Sequence, residues 1–148
     1  MSTETWARKQ ALSALEGAKA AMEMAGCPLP RIVCLCGSTR FYDAFRAANL
    51  RLTLAGEIVL SIGCDTKSDG DIATAGGLGK DPEQVKADLD ALHKRKIDLA
   101  DYVLVVSDET GYFGESTAGE IRYAVDHGKM VRFTQLAAQD RAEEMGLA

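Results

Sequence analysis

Residues 31–40 read Arg-Ile-Val-Cys-Leu-Cys-Gly-Ser-Thr-Arg, and this stretch decides the fold. An unbroken apolar run of this kind is typical of a β-strand that is buried on both faces, as in a parallel sheet covered by helices. The run stops at Gly37, and apolar residues then recur at three- and four-residue steps, which is the spacing of a helix. We therefore predict a strand over 31–36, a turn over 37–40 and a helix over 41–55.

The same alternation continues towards the C-terminus. Apolar runs predict further strands at 57–62, 102–106 and 130–133, and the residues between them predict helices at about 81–99 and 117–127, with a polar helix at the end of the chain. Strands that alternate with helices favour an α/β fold. We expect a Rossmann-like, flavodoxin-like parallel sheet of four to five strands with helices on both faces.

Ligands of such sheets bind beyond the carboxyl ends of the strands. The loops of interest are therefore 37–40, 63–80 and 107–117. The 63–80 loop is rich in glycine and carries Asp65, which we include among the candidate substrate-binding residues.

An extra segment precedes the first strand. Apolar residues at helical spacing predict an amphipathic helix over 4–25, and prolines follow it in a stiff connector. We divide the chain into an N-terminal helix and linker at 1–30 and an α/β domain at 31–148. The apolar face of the helix, with Trp6 and Met22, can either cover the sheet or add to a subunit interface.

Composition limits the possible partners. The chain of 148 residues carries a formal net charge of −5 and has no cluster of lysine and arginine, so we expect no binding to long nucleic acids, which need a basic surface. A small phosphate ligand needs only a local site. No window is apolar enough for a membrane span, and the N-terminus does not have the pattern of a signal peptide. We therefore expect a cytoplasmic protein that does not contact membranes.

The four cysteines, at 27, 34, 36 and 64, form no paired CxxC modules. Cys34 and Cys36 are two residues apart in a predicted strand and so point to the same face. We interpret the cysteines as reduced structural thiols, with a redox or metal-binding role as the alternative. We expect neither a metal nor another cofactor.

The turn at Gly37, Ser38, Thr39 and Arg40 joins a buried strand directly to a helix. A glycine there permits close approach of the backbone, and free amides and hydroxyls favour an anion, to which Arg40 can add a charged contact. The turn contains neither the Walker A nor the dinucleotide-binding pattern. The alternative is an ordinary helix N-cap with a surface arginine.

The segment 111–120 follows the third predicted strand. Ser116 and Thr117 can cap the next helix and offer hydroxyls to a ligand, and Glu120 is expected in its first turn, close to the crevice. The alternative for Glu120 is a capping-box glutamate at the third helical position, and the two roles are compatible.

Two titratable residues precede the third strand. His93 begins the run His-Lys-Arg-Lys, which is also typical of a solvated helix face. Asp98 lies five residues further on. Both are candidates for proton transfer.

Three motifs together resemble the nucleoside 2-deoxyribosyltransferase-like family. They are Cys-Gly-Ser-Thr-Arg at 36–40, the strand entry Ala-Asp-Tyr-Val-Leu-Val-Val at 100–106, and the segment 114–124. The similarity covers about residues 31–134 and is greatest to a poorly characterised branch found in phages and bacteria. The family includes base-exchanging transferases and nucleoside 5′-monophosphate N-glycosidases.

The resemblance implies a role for each motif. Glu120 matches the family's nucleophile, which attacks C1′ of the sugar, and the turn at 37–40 matches its loop that meets the sugar phosphate. Gly114, Ser116 and Thr117 complete this pocket. The resemblance also implies a homodimer or higher homo-oligomer, and chemistry that needs no metal.

Two positions depart from the family pattern. His93 stands where the well-studied members have an aspartate near the leaving base, and Leu35 replaces a tyrosine near the nucleophile. We therefore predict cleavage or transfer of an N-glycosidic bond in a nucleoside or nucleoside 5′-monophosphate, with Glu120 as nucleophile and His93 or Asp98 assisting the departing base. The alternative is a non-catalytic nucleotide-binding sensor or regulatory module.

Overall fold

The computed structural model describes residues 2–62 and 81–147. Backbone contacts divide the chain into two units, Met1–Arg31 and Ile32–Ala148. The first unit contains helix α1, Thr3–Met24, which begins where the hydroxyl oxygen of Ser2 accepts a hydrogen bond from the backbone N–H of Thr5 at 3.2 Å. The predicted N-terminal helix is thus present, and its role at a sheet or interface stays a prediction.

The second unit is an α/β domain with a four-stranded, wholly parallel sheet. The fold predicted from the sequence is confirmed. Strands β3 and β4 have the predicted bounds, whereas β1 extends to Gly37 and β2 is shorter than the apolar run suggested. The strands are β1 Ile32–Gly37, β2 Ile58–Leu60, β3 Tyr102–Val106 and β4 Met130–Phe133.

Helices cover both faces of this sheet. The alternation of side chains along a strand divides the core into two clusters, one packed with α2 and the other with α3, α4 and α5. No helix in the described parts of the chain is both long and apolar enough to cross a membrane. The helices of this domain are α2 Tyr42–Leu54, α3 Pro82–Leu99, α4 Glu115–Asp126 and α5 Leu136–Glu144.

Strand β1 shows this division of the core most clearly. Cys34 and Cys36 belong to the cluster that contains residues of α3 and α4, whereas Val33 and Leu35 belong to the cluster of α2. The prediction that the two cysteines share a face is therefore confirmed.

The order of the strands, β2-β1-β3-β4, places a topological switch point between β1 and β3. The chain leaves β1 towards β2 on one side, and leaves β3 towards β4 on the other. The last residues of these two strands, Gly37 and Val106, are paired in register. The loops that follow them therefore begin side by side, at the position where open α/β sheets bind their ligands.

Candidate functional site

Four side chains from three elements converge beside the end of β1. The Nε2 atom of His93, on α3, lies 3.2 Å from the Sγ atom of Cys36 and 3.7 Å from that of Cys34. The same Nε2 atom lies 3.7 Å from the Oε2 atom of Glu120, on α4. One ring nitrogen is thus surrounded by two thiols and a carboxyl group, and we call these four residues the Cys-His-Glu cluster.

Glu120 occupies the second turn of α4, because Gly114 is the N-cap residue and the helix begins at Glu115. The expectation that Glu120 lies in the first turn is wrong, and so is the capping-box alternative, since the third helical position is Thr117. The Glu120 side chain is only 14% exposed, and its Oε2 atom has no hydrogen-bond partner among the described residues. Its carboxyl group points to the cluster and not to the start of its helix.

Burial and mutual contacts shift the pKa values of all four groups. Burial raises the pKa of Glu120 against the opposing attraction of His93. Burial lowers the pKa of His93, but the hydrogen bond with Cys34 and the charge of Glu120 outweigh it, so the net pKa is raised. The hydrogen bond with Cys36 lowers the pKa of Cys34 to about 6, and the same hydrogen bond, together with burial, raises the pKa of Cys36 well above its usual value. Of the two thiols, Cys34 is therefore the one that loses its proton first.

Two kinds of chemistry are available to this arrangement. A carboxyl group beside an imidazole can act as nucleophile or as part of an acid–base pair. Two thiols and an imidazole nitrogen are also ligands of divalent transition-metal ions, and the donor atoms of Cys34, Cys36 and His93 all lie within 4.8 Å of one another.

Aromatic contacts join the two loops at the switch point. The guanidinium group of Arg40 lies over the ring of Tyr112, 4.5 Å from its centroid. The rings of Phe41 and Tyr112 meet edge to face, with their centroids 6.3 Å apart. The turn after β1 and the loop after β3 therefore form one continuous edge.

The turn at 37–40 differs in part from its prediction. The close approach that Gly37 permits is to the protein itself, because a Cβ atom there would lie 2.4 Å from the carbonyl oxygen of Val106. The N-cap residue of α2 is Phe41, with no side-chain cap among the described residues, so Ser38 and Thr39 do not cap the helix. Thr39 and Arg40 are exposed, and the Oγ atom of Ser38 accepts a hydrogen bond from the N–H of Arg40 at 3.4 Å.

The residues at the start of α4 differ in their exposure to solvent. Gly114 is the N-cap residue, and no side chain of the described residues caps the helix there, so the expected capping by Ser116 or Thr117 is wrong. Ser116 is exposed, whereas Thr117 is buried. Gly114 and Ser116 are thus the members of this group with open surface.

Asp98 is not brought to the Cys-His-Glu cluster. Its Oδ1 atom accepts a hydrogen bond from the hydroxyl of Tyr123 at 2.9 Å, and its Oδ2 atom lies 3.0 Å from the Nε atom of Arg95. Residues five positions apart on a helix are separated by about 140° around its axis, so Asp98 and His93 face different neighbours. Asp98 joins α3 to α4, so the structure does not bring it together with His93, the other residue that we expect to assist the departing base.

Three further outcomes concern predicted site positions. Leu35 lies on the face of α2, and the side chains of β1 that approach Glu120 are those of Cys34 and Cys36. Leu35, which replaces the tyrosine of the family that the sequence resembles, therefore lies on the opposite face of β1 from Glu120. Asp65, and the 63–80 loop that contains it, lie outside the described residues.

Sequence reasoning missed Ser107, the first residue after β3. Ser107 is buried. Two buried side-chain oxygens lack a hydrogen-bond partner within the described parts of the chain: Oγ of Ser107 and Oε2 of Glu120. Buried polar groups are nearly always paired, so such atoms call for an explanation. The position of Ser107 immediately after a predicted strand was the available signal.

Comparison with known proteins adds no relative. No family model, curated protein or solved structure matches the chain. The likeness to nucleoside 2-deoxyribosyltransferases therefore rests on the sequence motifs.

Proposed function

We propose that this protein cleaves or transfers the N-glycosidic bond of a nucleoside or nucleoside 5′-monophosphate, with Glu120 as nucleophile. The observation that carries the proposal is the pair of buried, unpartnered oxygens of Glu120 and Ser107. Ser107 directly follows β3, and Glu120 interacts with Cys36, the residue before the last one of β1, so both oxygens lie near the strand ends at the switch point. A ligand bound at this edge supplies the partners that these atoms lack.

The reaction is that of a retaining glycosidase. A bond forms between the carboxylate of Glu120 and C1′ while the bond from C1′ to the base nitrogen breaks, and the base leaves with the electron pair. Water or a second base then displaces Glu120 from C1′. His93 is the nearest titratable partner, with its Nε2 atom 3.7 Å from Oε2 of Glu120, and we assign to it the proton that the departing base takes up.

The edge of the sheet also offers groups for a 5′-phosphate. The guanidinium group of Arg40 is exposed and held in place over the ring of Tyr112. The first turn of α2 begins nearby, and the N–H groups of a helix N-terminus favour anions. With Ser38, Thr39 and Ser116, these groups form the phosphate side of the proposed pocket.

A nucleotide-binding module without turnover is the second candidate. The observation that favours it is the burial of Glu120, whose side chain is 14% exposed and packed beside His93. A substrate must open this contact before C1′ can reach the carboxylate. A module that only binds its ligand has no such requirement.

Chromatographic detection of free base distinguishes the two candidates. The protein is incubated with each common ribo- and deoxyribonucleoside and its 5′-monophosphate, in the presence of a metal chelator. We expect base release from at least one of them, and a loss of about 10³-fold or more in Glu120→Gln, because removal of a nucleophile leaves only binding and polarisation. Glu115→Gln, in the same helix, is the matched control and should retain activity.

Tight binding without release from any of these compounds would establish the binding module instead. Release that persists in Glu120→Gln would remove Glu120 from the nucleophile role. Circular dichroism of both variants verifies that the fold is retained.

A further inference from the structure

We propose that Cys34, Cys36 and His93 bind a divalent cation of the zinc class and that Glu120 supplies the fourth ligand. This proposal does not depend on the proposed function, and it concerns the metal-bound state of the protein, because Glu120 and His93 cannot coordinate an ion and act on a substrate at the same time. It departs from the expectation that the cysteines are purely structural, and it takes up the metal-binding alternative that their shared strand face left open.

The three distances from the imidazole nitrogen of His93 to the other donor atoms are close to those of a tetrahedral site. In a zinc site with Zn–S near 2.3 Å and Zn–N near 2.0 Å, the sulfur and nitrogen ligands lie about 3.5 Å apart. The two Sγ–Nε2 distances of the cluster, 3.2 Å and 3.7 Å, fall on either side of that value. The distance from Nε2 to Oε2 of Glu120 is 3.7 Å, against about 3.3 Å between nitrogen and oxygen ligands in the same geometry.

The unpartnered oxygen of Glu120 is a second, independent observation. Oε2 is buried, has no hydrogen bond among the described residues and lies next to the imidazole nitrogen. Coordination of a cation gives this oxygen the partner that it lacks. It also completes a set of two sulfurs, one nitrogen and one oxygen, which is a four-ligand site.

Strand geometry disfavours the competing disulfide. Residues two apart in a strand have Cα atoms about 6.6 Å apart, near the upper limit for a disulfide and above its usual 5.5–6 Å. Cys34 and Cys36 are both free thiols in the structure. Their side chains project in parallel from β1, an arrangement that lets two sulfurs contact one ion without distortion of the strand.

The donor set and its surroundings select the class of ion. Thiolate and imidazole ligands favour Zn²⁺ and similar ions over Mg²⁺ and Ca²⁺, which prefer oxygen. Cys34 and Cys36 are fully buried and His93 is 6% exposed. A bound ion is therefore shielded from water, as is usual for a structural or regulatory metal and unlike an open catalytic one.

Cobalt binding tests the proposal directly. The reduced, metal-free full-length protein is titrated with Co²⁺ and then with Zn²⁺. We expect one equivalent of Co²⁺ to produce thiolate-to-metal charge-transfer absorption in the near ultraviolet with the intense visible bands of a tetrahedral ion, and Zn²⁺ to displace it. Cys34→Ser, Cys36→Ser and His93→Gln should each weaken binding at least about tenfold, and Glu120→Gln should keep the charge-transfer band and alter the visible bands.

Cys27→Ser is the matched control, because Cys27 is exposed, and its titration should equal that of the wild type. Binding that survives both Cys34→Ser and Cys36→Ser would overturn the proposal. If those variants fail to fold, the titration of the wild-type protein tests the proposal by itself. Absence of the charge-transfer band at one equivalent of Co²⁺ would contradict a metal site at these residues. The titration uses no nucleotide and the base-release assay uses a chelator, so failure of one proposal is distinguishable from failure of the other.

Discussion

The Nε2 atom of His93 and the Oε2 atom of Glu120 lie 3.7 Å apart, although they belong to different helices. Both helices pack on the face of the sheet to which Cys34 and Cys36 point. A pair of titratable groups with perturbed pKa values at the switch point of a parallel sheet is typical of a functional site. Burial of the Glu120 carboxyl group disfavours its charged form despite the attraction of His93, and this cost can be measured.

Replacement of Glu120 by glutamine should stabilise the metal-free protein near neutral pH. Burial raises the folded-state pKa of Glu120 above its ordinary value of 4.5. The stability that the protonated group contributes is therefore complete below pH 4.5 and is lost as the pH rises through the folded-state pKa. Glutamine resembles the protonated form and does not titrate, so the advantage of Glu120→Gln over the wild type should grow from pH 4.5 towards neutrality. Urea denaturation in chelator across this range measures it, and a difference that is independent of pH would contradict it.

Ser107→Ala should lower ligand binding and leave stability equal or higher. The hydroxyl oxygen of Ser107 is buried without a hydrogen-bond partner among the described residues, so its removal relieves a desolvation penalty and can stabilise the fold by up to about 1 kcal/mol. Thr134 provides the contrast, because its Oγ1 atom accepts a hydrogen bond from the N–H of Ser107 at 3.2 Å. Thr134→Val should cost about 1 kcal/mol in urea denaturation. A loss of stability in Ser107→Ala as large as that of Thr134→Val would show that its hydroxyl is paired.

Tyr123→Phe should weaken the fold and leave base release unchanged. The hydroxyl of Tyr123 donates a hydrogen bond to Asp98 at 2.9 Å and accepts one from Arg95 at 2.8 Å. Both partners are ionisable groups, so we expect a loss of about 1–2 kcal/mol in the free energy of unfolding. Tyr112→Phe is the control, since the ring that contacts Arg40 is kept, and it should change stability by less than about 0.5 kcal/mol. A large loss of base release in folded Tyr123→Phe would indicate that Asp98 takes part in the reaction.

Gly37→Ala should destabilise the protein by more than about 2 kcal/mol. Gly37 has a φ of 151°, and an added Cβ atom would lie 2.4 Å from the carbonyl oxygen of Val106, so the change adds backbone strain to a steric clash. Gly119→Ala is the opposite case, because a Cβ atom there meets nothing within 4 Å. It should stabilise helix α4 by about 0.5–1 kcal/mol. Thermal unfolding of both variants tests the pair, and a neutral Gly37→Ala would contradict the geometry.

The sequence predicted the sheet better than the site. The bounds of β3 follow from an apolar run that is buried on both faces, those of β4 from a shorter, half-exposed run, and the shared face of Cys34 and Cys36 follows from the two-residue period of a strand. The strand bounds and the shared face could therefore be predicted from the sequence alone. The length of β2 was overestimated because an apolar run does not reveal where the partner strand stops pairing.

The convergence of the cluster on His93 was not accessible from spacing. His93 begins a run of basic residues that predicts a solvated face, and only the packing of α3 turns its ring towards β1. The predicted position of Glu120 within α4 depended on which residue is the N-cap. Residue preferences favoured Ser116 as the N-cap residue, whereas Gly114 occupies that position. Asp98 was grouped with His93 for a similar reason. The two residues lie on the same helix, and only their angular separation around its axis directs them to different neighbours.

Mass spectrometry of a quenched reaction tests the central claim most directly. The wild-type protein is mixed with the substrate from which it releases base. The reaction is stopped with acid, and the protein is digested to peptides. A retaining mechanism predicts a sugar or sugar-phosphate adduct on the peptide that contains Glu120, absent from Glu120→Gln. Rapid base release with an adduct on another residue would contradict the assignment of Glu120 as nucleophile.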